Sequence, residues 1–290
     1  MPTRFVHLTD LHVNAPGLMD PGLLTDTSAN LRHALELIAA LGEKPDFVVV
    51  SGDLTNRGDA ASYRVLRQIL DNLDVPLLVA LGNHDARSGF HEGFRGESAD
   101  TPWFTSAVHG GVHVIVLDSL VPGRIGGNLD DEQFAFLARE LEADSETAKL
   151  VVVHHPPDIG EVQDPDTWHY LDRAASDRLG AMLHGRHVAG VLSGHVHYDS
   201  VSIWNGVPLV TGAGLHAGTD KVRYDALRMV RSASIGLGRI EDGRLQMVFV
   251  PLPGDREVLR VIEWDALRAH DAAATMNDAE AADELMRGAA

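Results

Sequence analysis

Five short apolar stretches in the 290-residue chain each run straight into a cluster of histidine, aspartate or asparagine. The central one is Val75-Pro76-Leu77-Leu78-Val79-Ala80-Leu81, followed by Gly82-Asn83-His84-Asp85. Arg4 to Thr9 leads into Asp10-Leu11-His12, and Phe47 to Ser51 into Gly52-Asp53. Leu150 to Val153 leads into His154-His155-Pro156-Pro157, and Val188 to Ser193 into Gly194-His195-Val196-His197. Runs of this length and β-branched content read as buried strands. Open α/β sheets place their ligand sites beyond the carboxyl ends of strands. Five such ends converging on one edge would gather oxygen and imidazole donors with no thiolate among them, a set that suits Zn, Mn, Fe or Co.

The segments between the strands predict how the sheet is built. A helix is expected from about Ser28 to Leu41, capped by Asp26 or Thr27, with Leu31, Leu35, Ile38 and Leu41 on one face. Asp59 caps a second helix carrying Tyr63, Leu66, Ile69, Leu70 and Leu73. Strand, helix, strand, helix, strand implies parallel strands with right-handed crossovers. Residues Ala86 to Gly111 read as an irregular loop over the site, as do Asn14 to Thr25 and Asp158 to Thr167 at its rim. A further strand, His113 to Leu117, precedes helices from about Asp130 to Glu142 and from about Trp168 to Leu183. After His197 the pattern changes to short strands, Ser200 to Trp204, Val207 to Val210, Ser232 to Arg239 and Leu245 to Val250, the last two joined at Asp242-Gly243, a hairpin turn.

Composition narrows the chemistry. Cysteine is absent, which removes disulfides and thiolate metal sites. The chain enters its first strand directly, with no apolar run near the roughly 20 residues that span a bilayer. A cytoplasmic protein with no membrane partner is therefore expected. A net charge of -18 disfavours the phosphate backbone of a nucleic acid polymer. It leaves open a small anionic substrate, because bound cations reverse the local field.

Taken together and in order, Asp10-x-His12, Gly52-Asp53, Gly82-Asn83-His84-Asp85, His154-His155-Pro156 and Gly194-His195-x-His197 resemble the calcineurin-like metallophosphoesterases. Within that family the chain looks most like the bacterial class III cyclic-nucleotide phosphodiesterases and the related glycerophosphodiesterases, a likeness extended by Gly127-Asn128-Leu129-Asp130 through Gln133 to Leu137. The Ser/Thr protein phosphatases fit less well, since Asn56 and Asp85 stand where they have Asp and Glu.

The resemblance implies a four-layer α/β/β/α sandwich of two mixed central sheets flanked by helices, to whose second sheet the late strands would belong. It implies a catalytic domain over 1–265, leaving the Ala- and Asp-rich 266–290 as a marginally ordered tail. One metal ion is assigned to Asp10, His12, Asp53 and His197, the second to Asp53, Asn83, His154 and His195. Asp53 bridges, and a bridging hydroxide is the nucleophile. Asn83, His84 and His216 are assigned to the substrate, with His84 stabilising the phosphoryl group or protonating the leaving oxygen. His155 is read as packing or supporting. Asp85 either orients His84 or caps the turn. The implied activity is hydrolysis of a phosphate diester, either a 3',5'-cyclic nucleotide such as cAMP or a glycerophosphodiester. The alternatives are a phosphomonoesterase or a metal-free scaffold. The late strands are a possible homo-oligomer contact.

Overall fold

A computed structural model of the chain describes residues 2–18, 20–159, 169–223, 225–269 and 272. Its first half follows the expected alternation: β1 (Thr3–Leu8), α1 (Thr27–Ala39), β2 (Phe47–Ser51), α2 (Ala60–Leu70) and β3 (Leu77–Ala80). Asp26 caps α1 by accepting from Ala29 N, and Asp59 caps α2 by accepting from Ser62 N. Strands β1, β2 and β3 are parallel. Their side chains alternate, as a period of two requires: Phe5, Phe47 and Val49 turn to one face, Val6, Val48 and Val50 to the other.

Then come α3 (Arg87–Phe90), a π-helical turn at His91–Arg95, β4 (Thr105–His109), β5 (Val112–Val116), α4 (Asp131–Glu142), β6 (Lys149–Val152), α5 (Arg173–Leu183) and β7 (Val188–Ser193). The remaining strands are β8 (Ser200–Trp204), β9 (Val207–Thr211), β10 (Gly218–Thr219), β11 (Leu227–Val230), β12 (Ser234–Glu241), β13 (Arg244–Pro251) and β14 (Val258–Ile262), and 264–269 are helical. The first sheet runs β13-β12-β1-β2-β3 and the second β4-β5-β6-β7-β9-β8.

Three apolar layers hold the sandwich together. Leu31, Ala34 and Ile38 of α1 and Tyr63 and Leu66 of α2 cover the outer face of the first sheet. Phe134, Leu137 and Leu141 of α4 and Leu179 and Leu183 of α5 cover the second. Between the sheets lie Phe5, Phe47, Val49, Val112, Val114, Leu150 and Val152. The result is the expected α/β/β/α sandwich, and no described helix is long and apolar enough to cross a membrane.

Four local expectations are corrected. The stretch Ala86 to Gly111 is not an irregular loop: it holds α3, the π-helical turn and β4. Gly110 and Gly111, both at positive φ, turn β4 back onto β5 as a hairpin. The late strands divide between the sheets. Only β8 and β9 join the second, whereas β12 pairs antiparallel with β1 and carries β13 into the first. A third, small sheet, β10-β11-β14, was not foreseen. Finally, α5 begins at Arg173 behind the cap Asp172 rather than near Trp168. Residues 160–167 of the rim loop, Trp168 and most of the tail lie outside the described residues.

Candidate metal centre and its cavity

The carboxyl ends of β1, β2, β3, β6 and β7 meet at one edge of the sandwich, and the backbone there is forced. Asp10, His12, Asp53, His195 and His197 have φ of 50°, 44°, 48°, 71° and 54°. In this left-handed region an L residue is strained by about 1–3 kcal/mol. Two glycines let the clusters close on one another. A Cβ on Gly82 would stand 2.3 Å from Asp53 Oδ1 and 2.6 Å from His154 Nε2. One on Gly194 would stand 1.9 Å from Thr9 Oγ1 and 2.4 Å from Asp10 Oδ2.

Asp10, His12, Asp53 and His197 form one group whose ligand atoms all lie within 4.8 Å of one another. His197 Nε2 is 3.2 Å from Asp10 Oδ1, and His12 Nε2 is 3.5 Å from Asp53 Oδ2. The same Asp53 Oδ2 is 3.4 Å from His154 Nε2. Asn83 Oδ1 then sits 3.2 Å from His154 Nε2 and 2.9 Å from His195 Nδ1. Asp53 thus stands between two donor sets. His155 lies near His154 and His195, but its Nδ1 meets Ser119 Oγ at 2.7 Å and its Nε2 meets the Ile125 carbonyl at 2.9 Å. Both of its ring nitrogens are engaged.

The hydrogen-bond partners fix the tautomers. His154 Nδ1 donates to the Ser51 carbonyl at 2.8 Å, and His197 Nδ1 to the Ala217 carbonyl at 2.7 Å. His12 Nδ1 donates to Asn56 Oδ1 at 3.0 Å, and Asn56 Nδ2 in turn donates to Asp20. A carbonyl only accepts, so each Nδ1 carries the proton, and in a neutral ring Nε2 turns a lone pair toward a carboxylate. His12 Nε2 is buried without any hydrogen-bond partner. Acceptors facing acceptors in a buried site need positive charge between them.

The titration behaviour says the same. Burial is the largest single influence on His154 and lowers it, but the charge and hydrogen bond of Asp53, with Asp10 and the Ser51 carbonyl, together raise the ring to about 9. His197 is raised against burial by Asp10. Burial would raise Asp53, yet the neighbouring His154 and His84 hold it well below the carboxylate range. Burial, then His84 and His216, push His12 well down. The donor set therefore fits metal cations, which supply the missing charge without protons.

His84 donates its main-chain N–H to Asp53 Oδ1 at 2.9 Å, and its Nδ1 meets the Asn56 carbonyl at 3.1 Å, which leaves Nε2 to the cavity. Asp85 does not meet the His84 ring. It accepts from the N–H groups of Gly82, Leu54 and Thr55 and from the Tyr63 hydroxyl, so it caps its own turn and ties it to the loop after Asp53. His216 accepts from Leu24 N at its Nε2, 3.0 Å away, which places its proton on Nδ1. Burial holds it down at about 3, and the ring stays neutral. Arg57 and Arg87, beside the motif blocks, are paired, with Asp20 at 2.6 Å and with buried Asp118 at 2.8 Å.

These residues floor a cavity of about 330 Å³. Asp20 of the expected rim loop lines it too, and its other walls, Tyr170, Lys221, Leu227, Met229, Arg260, Ile262 and Trp264, are not legible in the sequence. Each is a single side chain from a short or weakly patterned element, and none sits in a recurring block. A larger cavity, about 720 Å³ between α1 and α2, holds none of the clustered donors.

A buried histidine–carboxylate centre at the edge of two stacked mixed sheets is the equipment of metal-assisted hydrolysis. The calcineurin-like phosphoesterase family matches residues 3–199, and the chain belongs to that family, whose chemistry is the hydrolysis of phosphoric esters. A "Probable cyclic nucleotide phosphodiesterase" of Rhodococcus erythropolis is 35% identical over 214 residues, covering 72% of this chain and 69% of that one. A "cAMP/cGMP dual specificity phosphodiesterase" of Mycobacterium tuberculosis is 31% identical over 209 residues, covering 70% of this chain and 64% of that one, so the chain spans less than two thirds of that relative. A "Probable glycerophosphodiester phosphodiesterase" of Arcobacter nitrofigilis is 28% identical over 217 residues, covering 72% and 77%. Among solved structures, a dimetal phosphatase from Danio rerio superposes with a TM-score of 0.54 at 14% identity, over 85% of this chain and 98% of that one. The GAP50 anchor of the Plasmodium inner membrane complex gives 0.55 at 12%, over 90% and 89%. These two likenesses show the fold alone.

Proposed function

We propose that the chain is a phosphodiesterase with a dinuclear metal centre, acting on a small phosphate diester, either a 3',5'-cyclic nucleotide or a glycerophosphodiester. The observation that carries this is Asp53 Oδ2, shared at 3.5 and 3.4 Å between His12 and His154. Asp10, His12, Asp53 and His197 would hold one ion, and Asp53, Asn83, His154 and His195 the other. The set suits Mn, Fe, Zn or Co. When bound, the ions supply Lewis acidity to the phosphate oxygens and to an attacking water.

The chain's own residues do the rest. The His84 N–H fixes Asp53, and the Asn56 carbonyl fixes the His84 ring with Nε2 toward the cavity. With Nδ1 donating to that carbonyl, Nε2 carries a proton only in the imidazolium form, and in that form it is placed for delivery to the leaving oxygen or to a phosphoryl oxygen. Neutral His216 presents Nδ1–H as a second donor. Asn83 contributes an uncharged oxygen, which limits the negative charge facing the substrate.

Diesters are favoured because Arg57 and Arg87, beside the motif blocks, are paired with Asp20 and Asp118, while of the cations lining the cavity Arg260 donates to the Pro21 carbonyl and Lys221 lies over the Tyr198 ring. A monoester carries about two negative charges and a diester one. The three sequence relatives carry phosphodiesterase names, which supports the same reading. Metal-reconstituted protein assayed on bis(4-nitrophenyl) phosphate and on 4-nitrophenyl phosphate tests it: kcat/KM is expected to be higher for the diester. A higher value for the monoester puts the phosphomonoesterase reading first. Elemental analysis of Asp53→Ala, expected to lose at least one ion, tests the shared ligand.

A further inference from the structure

The small sheet β10-β11-β14 lies beyond the stretch that the family matches, yet it walls the cavity. Leu227 and Met229 stand two residues apart on β11 and so share a face. Their register partners on β14 are Ile262 and Arg260, and all four line the cavity. Arg260 donates to the Pro21 carbonyl, which fastens this wall to the rim loop carrying Asp20. Beyond β14, Trp264 and Leu267 of the helical segment complete the wall.

A row of rings joins this wall to the metal centre. The His195 and His169 ring centroids are 6.1 Å apart with planes 37° apart, and His169 and Trp264 are 6.4 Å apart with planes 22° apart. One end of the cavity thus carries the donor cluster, and the other is mainly apolar and aromatic, with Arg260 and Lys221 also in its lining. Phosphate belongs at the first. The second suits a flat, weakly polar group.

We propose that this carboxyl-terminal wall is the specificity surface and that Trp264 seats a nucleobase, so that the diester is a cyclic nucleotide and not a glycerophosphodiester. The inference rests on the phosphodiesterase reading and adds the substrate class. A base gains from stacking its flat face on an aromatic side chain, whichever base it is. Glycerol hydroxyls set against Leu227, Met229 and Ile262 would lose water without gaining a partner from those three side chains. The two effects act in the same direction.

The test compares two ligands with the same phosphate and different bodies. Adenosine 5'-monophosphate and glycerol 3-phosphate are titrated by calorimetry into metal-loaded protein. The nucleotide is expected to bind at least tenfold more tightly. Trp264→Ala should remove most of that advantage while leaving glycerol 3-phosphate binding and the melting temperature unchanged, and Trp264→Phe should retain it. Equal affinities in the unaltered protein, or an advantage untouched by Trp264→Ala, would overturn the proposal. Turnover of bis(4-nitrophenyl) phosphate is read in parallel. Turnover without nucleotide preference sinks the wall and spares the diesterase reading. Preference without turnover supports the wall and sinks that reading.

Discussion

Several buried histidines are held neutral and share the acidic end of the stability profile, among them His7 on β1, which is not in the donor set. His7 is buried, bonded to Ser51 Oγ at 2.8 Å, and burial lowers it to about 4 against the partly opposing charge of Asp10. Its folded value lies below its unfolded one, so between pH of about 6.5 and 4 the unfolded chain binds more protons. Stability is present above this window and is lost as pH falls through it, by at most about 3 kcal/mol. His7→Gln is expected to reduce the slope of the melting temperature against pH between those values, and identical slopes for the two proteins would refute the assignment. His84 answers to a different measurement. His84→Ala should keep both metal ions and lose roughly 10²–10⁴ in rate. If its Nε2 serves the leaving oxygen, the loss shrinks for nitrophenyl esters relative to alkyl esters. A loss of equal size for both points to phosphoryl stabilisation instead.

At the scale of elements, the turn after β3 and the loop after β2 are one unit because Asp85 joins them. Its two oxygens serve three main-chain N–H groups and the Tyr63 hydroxyl. Asp85→Asn keeps the shape but offers a single acceptor oxygen. It should leave about two buried donors unmatched, at about 1–3 kcal/mol each. Metal affinity is expected to fall along with the melting temperature, although Asp85 contacts no cation; intact affinity in a destabilised variant would show that the two loops hold their spacing without it. The buried strands were legible because Phe47 to Ser51 or Leu150 to Val153 are apolar on both faces, and the residues after them carry chemistry at each end. Strand β4 was not legible, since its half-exposed Thr105-Ser106-Ala107 has weak periodicity and its turn signal is the Gly110-Gly111 pair. Nor was the sheet that β12 joins. Alternation tells which face of a strand is buried, not which neighbour covers it, and the pairing with β1 spans most of the chain. Trp264 and Met229 reach the cavity by tertiary placement alone.

In the whole molecule the donors are divided. Asp10, His12, Asp53 and Asn83 follow strands of the first sheet, and His154, His195 and His197 follow strands of the second. Cations bound by both would tie the sheets together in the folded state only. Stripping them with a chelator should lower stability by about 2.7 kcal/mol if the free metal had stood near one hundred times its dissociation constant. Recovery of the melting temperature on re-addition of metal confirms the tie, and a chelator-insensitive melting temperature refutes it. Hydrogen bonds cross the same gap without metal, from His195 N to Asp10 and from His154 Nδ1 to the Ser51 carbonyl.

A centre split in this way is a gauge of how far apart the sheets stand. Phe5, Phe47, Val114 and Leu150 act as the spacer that sets it, and close-packed interiors yield little. Gly238 of β12 lies beneath the Phe5 ring, where an added Cβ would come within 2.1 Å. A single methyl group there, on the strand beside β1, would wedge the ring toward the opposing sheet and shift the calibration of a catalytic centre it never touches.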